Sequence, residues 1–213
     1  MNAIIITGGK TTKNFVKEYL NTNKYDIIIA VDRGLEILDT LTIKPDYILG
    51  DFDSVNQDVL RKYKKENINI TELNPEKDLT DTHSAINLAI SLKSDKITIL
   101  GAIGTRIDHT IANIHILKIA IQKNVDIKII DENNEITLID KNVKICKDEK
   151  YKYISLIPLT TKVENLTLKG FKYLLTNSTL NIGDSLGISN EQIEPEAEIL
   201  LEKGILIMIK SKD

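Results

Sequence analysis

Residues 45–54 read Pro-Asp-Tyr-Ile-Leu-Gly-Asp-Phe-Asp-Ser, a short apolar run followed by a glycine and two aspartates. In an extended segment the side chains of alternate residues point the same way, so Asp51 and Asp53 are expected to face one ligand together. A hard divalent ion such as Mg²⁺ binds through one or two carboxylates and completes its shell with water and substrate phosphates. The stretch therefore predicts a strand followed by a cation site. The structural alternative is an acidic turn that ends in an Asp or Ser helix cap.

The apolar run at 45–49 is one of six in the first 131 residues, and several of them are continuous rather than alternating. Continuous runs of strand length are typical of parallel strands that are buried on both faces. Between them, apolar residues recur at helical spacing, notably in residues 15–20, 85–92 and 111–121. Strands that alternate with helices predict an α/β domain with an open, mostly parallel sheet and flanking helices. The six runs are residues 2–7, 26–31, 45–49, 68–72, 96–100 and 126–130.

Four loops that follow these strands contain most of the unusual residues of this domain. In an open parallel sheet, ligands bind beyond the carboxyl ends of the strands, where such loops collect. Glycines let backbone N–H groups approach phosphates, and Lys10, Arg33 and Arg106 can pair with phosphate oxygens. Each loop also has a local explanation, such as Asp32 as the N-cap of a helix. The sequence has neither a P-loop nor a Gly-x-Gly-x-x-Gly motif, so a nucleotide site in these loops would be of another kind. The loops are Thr7-Gly8-Gly9-Lys10, Asp32-Arg33-Gly34, Gly50-Asp51-Phe52-Asp53 and residues 101–109.

A second acidic cluster, in residues 74–83, precedes the helical pattern at 85–92. Thr80 suits the N-cap of that helix, and acidic residues near a helix start complement its dipole. The same loop enters from the sheet edge of the first acidic stretch. A carboxylate of this loop could therefore supply a further metal ligand, and Lys77 a phosphate-pairing ammonium group. The sequence leaves both interpretations open.

After residue 131 the helical spacing ends, and short apolar runs alternate with turn sequences such as Asn181-Ile182-Gly183-Asp184. This rhythm predicts a smaller antiparallel β domain, built as a sandwich or a barrel. We place the boundary between residues 133 and 134, which gives domains 1–133 and 134–213. A domain of about 80 residues is small for an independent hydrophobic core, so it is expected to pack on the first domain or to pair with another chain. The apolar runs are residues 135–139, 152–157, 163–168, 171–176, 194–200 and 205–209.

The composition excludes several classes of protein. The 213 residues include 28 basic and 31 acidic ones, with no basic block, so no nucleic-acid partner is expected. The N-terminal run reaches Gly8 too early for a signal peptide, and no stretch approaches the roughly 18 apolar residues of a membrane span. Cys146 is the only cysteine, which excludes an intramolecular disulfide and a zinc site built from cysteines. We therefore expect a cytoplasmic protein with no membrane partner.

Four stretches follow one another along the chain: Gly50-Asp51-Phe52-Asp53-Ser54, Lys77-Asp78-Leu79-Thr80-Asp81, Gly101-Ala102-Ile103-Gly104-Thr105-Arg106-Ile107-Asp108-His109 and Gly183-Asp184-Ser185-Leu186-Gly187-Ile188-Ser189-Asn190-Glu191. In this order and at these separations they resemble the signature of the thiamine pyrophosphokinase family. Asp32-Arg33-Gly34 adds to the resemblance, which spans nearly the whole chain. It implies an α/β domain followed by a β-sandwich, in a homodimer with active sites at the interface. The implied reaction transfers the terminal diphosphate of ATP to the hydroxyethyl group of thiamine, which gives thiamine diphosphate and AMP.

By the same resemblance, the first domain binds ATP and Mg²⁺ and carries the catalytic residues. The residues implied in metal binding are Asp51, Asp53 and Asp81. Those implied in ATP or phosphate binding are Asp32, Arg33, Lys77, Thr80 and Arg106. The residues implied in catalysis are these three metal ligands together with Arg106 and Asp108. Asp108 could orient Arg106, ligate the metal indirectly or accept the hydroxyl proton, and the sequence does not decide among these roles.

The resemblance implies that the second domain binds thiamine through Ser189 and Asn190, across the dimer. Some members of the family place a tryptophan against thiamine, whereas this chain has no Trp. An aromatic contact with the cationic ligand would then come from Phe or Tyr, or be absent.

Three other functions share part of this pattern. A diphosphokinase acting on a pterin alcohol would use the same ATP and Mg²⁺ machinery, although the run Gly187-Ile188-Ser189-Asn190-Glu191 favours thiamine. A phosphohydrolase with an aspartate nucleophile also has an Asp-x-Asp strand end, usually on the first strand and followed by Thr or Val rather than Ser54. A non-catalytic nucleotide sensor would keep Gly8-Gly9 and Arg106, yet it need not retain three metal-facing aspartates.

Overall fold

The computed structural model describes residues 1–66, 68–74, 76 and 78–213, and the chain divides into two compact units. The first unit is Met1–Glu132 and the second is Asn133–Asp213, so the division lies one residue before the boundary expected from the sequence. Within the described ranges, no helix has the length and apolar character needed to cross a membrane.

Six strands form the centre of the first unit: β1 (Asn2–Ile6), β2 (Ile27–Val31), β3 (Tyr47–Gly50), β4 (Asn69–Glu72), β5 (Lys96–Leu100) and β6 (Asp126–Ile130). They lie in the order β4-β3-β2-β1-β5-β6, and each neighbouring pair is parallel. The isoleucines at the centre of β1, from Ile4 to Ile6, are fully buried, as expected for a strand covered on both faces. The predicted mostly parallel sheet is confirmed.

The helices of the first unit are α1 (Lys13–Thr22), α2 (Gly34–Thr40), α3 (Gln57–Lys64), α4 (Asp81–Ser91), α5 (Ile107–Ile116) and α6 (Lys118–Lys123). The apolar spacing at 111–121 predicts one continuous helix, but Leu117 separates α5 from α6. Its N–H donates to the oxygen of Ile114, and the N–H of Ala120 donates to the oxygen of Leu117. These bonds span three residues instead of four, which tightens the turn and interrupts the α-helical ladder.

The position of β1 creates a crevice at one edge of the sheet. Strands β2 to β4 lie on one side of β1, whereas β5 and β6 lie on the other. The loops on either side of such a reversal diverge and leave a binding crevice beyond the carboxyl ends of the strands. Because Ile6 of β1 pairs with Leu100 of β5, the loops that follow these two strands begin at the same level.

Seven strands form the second unit: β7 (Asn134–Ile139), β8 (Val143–Cys146), β9 (Tyr153–Pro158), β10 (Lys162–Lys169), β11 (Leu175–Asn181), β12 (Glu196–Leu200) and β13 (Leu206–Ser211). One antiparallel sheet has the order β7-β13-β9 and the other β11-β10-β12-β8. Leu156 and Leu206 of the first sheet share a buried cluster with Leu166 and Ile199 of the second. This arrangement confirms the predicted antiparallel sandwich.

Two strands of this unit differ from the sequence-based expectation. The apolar run at 171–176 predicts a strand, but β11 begins only at Leu175. Phe171 is buried at an isolated bridge to Gln192, so its apolar character marks a core contact and not a strand. Strand β11 has polar residues at its centre and only one buried residue, Leu180, so the apolar pattern of the sequence does not reveal it. None of the apolar runs identified in the sequence covers strand β8, so the sequence-based prediction misses it.

Gly34 starts α2 in direct contact with the end of β1. A Cβ atom at this position would lie 2.0 Å from the backbone oxygen of Ile6, which belongs to a strand paired on both sides. We expect Gly34→Ala to lower the free energy of unfolding by about 1–3 kcal/mol, the usual cost of overpacking. Urea denaturation measures the change. Gly104→Ala is the matched control, because a Cβ there would meet nothing closer than 3.6 Å. Equal losses in both variants would contradict the steric explanation.

Candidate active site

A cleft of about 810 Å³ opens beyond the carboxyl ends of the parallel strands. Its walls come mainly from the loops after β1, β2 and β5 and from the start of α4, the regions predicted to form a nucleotide site. The volume lies within the range of about 300–1,000 Å³ that is common for ligand pockets. The lining includes Lys10, Asp32, Arg33, Thr80, Asp81 and Arg106.

The loops after β1 and β5 are held together by hydrogen bonds. The N–H of Thr7 donates to the oxygen of Leu100 at 2.9 Å, and the Thr7 hydroxyl donates to the oxygen of Gly101 at 2.5 Å. The N–H of Lys10 donates to the oxygen of Ile103 at 2.9 Å. Since both loops are fixed to one another, Lys10 and the residues after Gly101 keep a constant separation across this part of the cleft.

Two aspartates of the cleft, Asp32 after β2 and Asp81 at the start of α4, lie close to a third, Asp51 after β3. Asp32 is in hydrogen-bonding contact with Asp81 and close to Asp51. The pKa of Asp32 is raised to about 7, first by burial, then by the negative charge of Asp81 and the hydrogen bond with it, and then by the charge of Asp51. A hydrogen bond from the Phe52 backbone opposes the rise. The Oδ1 atom of Asp32 is buried without a hydrogen-bond partner among the described residues. The cluster thus concentrates negative charge that a bound cation would offset.

Asp51 and Asp53 follow β3 in a tight turn, whereas the alternation of side chains predicts an extended segment. Phe52 has a φ of 61° and its side chain is buried, so the chain turns between the two aspartates. The Asp51 carboxylate accepts a hydrogen bond from the N–H of Asp53 at 3.1 Å. Gly50 permits the arrangement, because a Cβ there would lie 1.9 Å from Oδ1 of Asp32. Asp51 therefore lies near Asp32, while Asp53 is exposed to solvent.

The two predicted helix caps have different outcomes. Asp32 does not cap α2, because the helix begins at Gly34 with Arg33 at the N-cap position, and the Asp32 side chain faces Asp81 instead. Thr80 does cap α4, since its hydroxyl accepts a hydrogen bond from the N–H of His83 at 3.2 Å. This cap fixes Asp81 as the first residue of α4, at the edge of the cleft. Lys77, which precedes it in the same loop, lies outside the described residues.

Arg106 and Asp108 form a two-point ion pair at the start of α5. The guanidinium donates from one terminal nitrogen to Oδ2 of Asp108 at 2.6 Å and from Nε to Oδ1 at 3.3 Å. The hydrogen bonds from Arg106 lower the pKa of Asp108, and the carboxylate raises that of Arg106 in turn. Both side chains remain exposed, so the pair leaves Arg106 accessible to an anion in the cleft. Arg33 contributes a further cation there, 3.9 Å from Glu36.

Several residues of the cleft are missed by motif reasoning. Asn113 is buried on α5, and its amide donates to the oxygen of Ala102 at 2.7 Å, which supports the loop after β5. An Asn among the apolar residues of a helix is the signal that could have indicated this role. Thr11 lines the cleft with a buried hydroxyl that has no hydrogen-bond partner among the described residues. No pattern in the sequence distinguishes this threonine from a surface residue.

The described residues contain no group of three or more His, Cys, Asp or Glu side chains arranged to hold a metal ion by themselves. The aspartates around Asp32 nevertheless suit a hard cation by their chemistry, because carboxylate oxygens are its preferred ligands. The unpaired Oδ1 of Asp32 has the properties of such a ligand. Phosphate oxygens and water are the usual source of the remaining ligands of Mg²⁺.

Ser189 and Asn190 lie side by side in the second unit but differ in exposure. Ser189 is exposed, has a φ of 55°, and donates its N–H to the hydroxyl of Ser155 at 3.0 Å. Asn190 is only 6% exposed, and its amide is hydrogen-bonded to both backbone groups of Tyr173. Tyr173 itself is 58% exposed. The side chains of Ser189 and Tyr173 are therefore accessible to a ligand that arrives from the solvent, whereas that of Asn190 is not.

Comparisons with known proteins agree with this architecture. Residues 18–129 match the family model for the thiamin pyrophosphokinase catalytic domain, and residues 140–206 match its vitamin B1 binding domain. The chain is 37% identical to the thiamine pyrophosphokinase of Bacillus subtilis over 211 residues, or 98% of each chain. The crystal structure of a B. subtilis thiamine pyrophosphokinase aligns with a TM-score of 0.90 and 35% identity over 100% of both chains. That of Geobacillus thermodenitrificans has a TM-score of 0.88 and 32% identity, covering 100% of this chain and 98% of the other. The chain therefore belongs to the thiamine pyrophosphokinase family.

Proposed function

We propose that this chain transfers the diphosphate group of ATP to the hydroxyethyl oxygen of thiamine, which gives thiamine diphosphate and AMP. The observation that carries the proposal is the match of its two parts to the catalytic and the vitamin B1 binding models of one family. The cleft supports the catalytic part, because it combines carboxylates and cations with glycine-containing loops at the strand ends.

The proposed reaction forms a bond between the thiamine oxygen and the β-phosphorus of ATP. It breaks the bond from the β-phosphorus to the oxygen that bridges to the α-phosphorus, and that oxygen leaves with AMP as the hydroxyl proton is released. In a loose transition state, positioning and electrostatic stabilisation do most of the work, so the alcohol needs little prior deprotonation. Lys10, Arg33 and Arg106 line the cleft and supply positive charge for the phosphate oxygens.

Asp108 is proposed to act through Arg106. The two hydrogen bonds between their side chains restrict the orientation of the guanidinium group, which otherwise rotates freely on an exposed stem. A fixed guanidinium binds phosphate oxygens at a smaller entropic cost than a mobile one. Of the three roles that the sequence leaves open for Asp108, the ion pair favours orientation of Arg106.

Mg²⁺ is proposed to bind to Asp51, Asp53 and Asp81, beside Asp32. The unpaired oxygen of Asp32 and the repulsion among its neighbouring carboxylates support a cation at this place. When bound, Mg²⁺ would neutralise and orient the triphosphate.

The second unit is proposed to bind thiamine, with Tyr173 as the aromatic contact and Ser189 as a polar one. The Tyr173 ring already attracts a cation, since Nζ of Lys172 lies 5.6 Å from its centroid. Aromatic faces attract cations electrostatically, and the thiazolium ring of thiamine is cationic.

A homodimer with active sites at the interface is proposed, in the cytoplasm. Among the described residues, six of the ten exposed large apolar side chains fall between residues 173 and 193 of the second unit, and exposed apolar groups that form a patch mark interaction surfaces. The use of a single cysteine suits a reducing compartment. The exposed apolar residues are Tyr173, Leu174, Ile182, Leu186, Ile188 and Ile193.

The nucleotide product tests the proposed reaction. Purified protein incubated with ATP, Mg²⁺ and thiamine should form AMP and thiamine diphosphate in equal amounts, because one diphosphate group moves intact. Ion-exchange chromatography separates and quantifies the nucleotides. ADP or free phosphate as the main product would contradict diphosphate transfer. Faster turnover of a pterin alcohol than of thiamine would instead support the related diphosphokinase.

Removal of charge from the acidic cluster tests the metal assignment. Asp51→Asn and Asp53→Asn should each lower turnover by about two orders of magnitude or more, because an electrostatic group is lost at constant volume. Without Mg²⁺ and ATP, Asp51→Asn should unfold at the same or a higher temperature than the wild type, since repulsion of Asp32 is relieved. Steady-state kinetics and thermal unfolding measure the two effects.

Asp58→Asn serves as the control for these variants. Asp58 is an exposed aspartate of α3 whose ion pair is with Arg61 in the same helix. Its replacement should leave turnover unchanged. Near-normal activity of Asp51→Asn at limiting Mg²⁺ would refute the ligand assignment.

Mixed dimers test whether each active site is shared by two protomers. Asp51→Asn and Tyr173→Ala are each expected to have little activity at limiting thiamine. After subunit exchange, a mixture should regain about a quarter of wild-type activity, because half of the dimers would carry one intact site of two. A mixture of Asp51→Asn with Asp53→Asn should regain none, since both changes fall in the first unit. No recovery in the first mixture would place each site within one protomer.

A further inference from the structure

The amide of Asn190 is almost fully engaged in contacts with the protein. Its oxygen accepts hydrogen bonds from the N–H of Tyr173 at 3.0 Å and from its neighbour Glu191 at 2.9 Å. Its nitrogen donates to the oxygen of Tyr173 at 2.7 Å. Both lone pairs of the oxygen and one of two N–H donors are therefore used, in a residue that is 6% exposed. Little of this side chain remains to bind a ligand.

The backbone of Asn190 is engaged on its other side. Its N–H donates to the oxygen of Ile154 at 3.1 Å, and its oxygen accepts from the N–H of Ile154 at 2.7 Å. Asn190 thus connects β9, through its backbone, to the segment around Tyr173, through its side chain.

The side chain of Asn190 continues a short antiparallel pairing. Phe171 bridges to Gln192, and the N–H of Lys172 donates to the oxygen of Glu191 at 2.9 Å. At the next position the Asn190 amide replaces a backbone peptide group, since it both donates to and accepts from Tyr173. An aspartate could accept but could not donate, which would leave the oxygen of Tyr173 without this partner.

This pairing holds the backbone of Tyr173 while its ring remains 58% exposed. The neighbouring Lys172 is held as well, because its Nζ lies 2.8 Å from the Glu191 carboxylate. A ring on a fixed backbone loses less conformational freedom when a ligand binds than a ring on a mobile loop. The contact with the backbone is therefore a means of increasing the affinity of the ring for a ligand.

We propose that Asn190 is a positioning residue that fixes Tyr173 for contact with the cationic acceptor substrate, and is not itself a ligand of that substrate. The inference rests on the proposed function, since it takes the acceptor to be thiamine. It replaces the direct role that the family resemblance implies for Asn190 with an indirect one.

A double-mutant cycle on the full chain separates the two roles. Asn190→Ala and Tyr173→Ala should each weaken thiamine binding about tenfold, the loss expected for one aromatic contact with a cation. If Asn190 acts through Tyr173, the double variant should bind no more weakly than Tyr173→Ala alone. Multiplied losses would show a direct contact and overturn the proposal. Titration calorimetry with thiamine gives the dissociation constants.

A fluorescence measurement reports on the ring without relying on turnover. The chain has no Trp, so Tyr173→Trp introduces a single tryptophan whose emission should change when thiamine is added. In this background, Asn190→Asp keeps the shape and the two acceptors but loses the donor to Tyr173. It should weaken the thiamine-dependent change severalfold and increase the rotational freedom of the indole measured by anisotropy. An unchanged anisotropy and thiamine affinity would overturn the proposal.

Gln192→Ala is the matched control. Gln192 is also buried, and its amide donates to the backbone oxygens of Ile145 and Glu194 at 3.2 and 3.0 Å. Its loss should lower the unfolding temperature, as the loss of Asn190 should, but leave the KM for thiamine unchanged. An equal rise of this KM in Gln192→Ala would indicate a general loss of structure and overturn the specific role of Asn190.

Two measurements distinguish a failure of this inference from a failure of the proposed function: the KM for ATP of the variants and the identity of the products that the wild type forms. The Asn190 variants should keep the KM of the wild type for ATP, because their defect concerns the acceptor. A wild-type protein that forms no thiamine diphosphate would refute the proposed function. A wild type that forms it, with multiplied losses in the cycle, would refute only the role of Asn190.

Discussion

The parallel pairing of β1 with β2 on one side and β5 on the other is the constraint on which the first unit depends. It sets the point where the strand order reverses, and so the place where the loops diverge into a crevice. Hydrogen bonds from Thr7 and Lys10 then fix the loops after β1 and β5 to each other. Gly34 lets α2 begin against the end of β1. The cleft is thus a property of the sheet, to which the functional side chains are added.

The aspartates at this edge oppose the stability of the sheet that carries them. Asp32 is buried next to Asp81 and Asp51, and its raised pKa expresses the cost of keeping a negative charge there. Carboxylates whose pKa values are strongly perturbed in this way are found preferentially at functional sites. Glycine at position 50 makes the arrangement possible, because any side chain there would occupy the place of the Asp32 carboxylate.

The second unit is a small sandwich that exposes the side chains of Ser189 and Tyr173 to solvent. Ser189 adopts a left-handed conformation with its N–H bonded to Ser155. Tyr173 lies outside any strand, and the side chain of Asn190 supplies the pairing that a strand would have provided. A polar residue of a family motif can therefore be engaged within the fold, as the Asn190 amide is with the backbone of Tyr173.

The sequence by itself determined the fold class, because runs of isoleucine and their helical or alternating spacing depend only on which residues avoid water. It also determined which loops share an edge, and hence the location of the cleft. It did not determine side-chain roles that depend on distant partners. Asp32 has the local signature of a helix cap but faces Asp81, and Asn190, which the family resemblance alone marks as a ligand contact, pairs with Tyr173. Only tertiary structure decides such cases, because a polar group bonds to whichever partner burial leaves within reach.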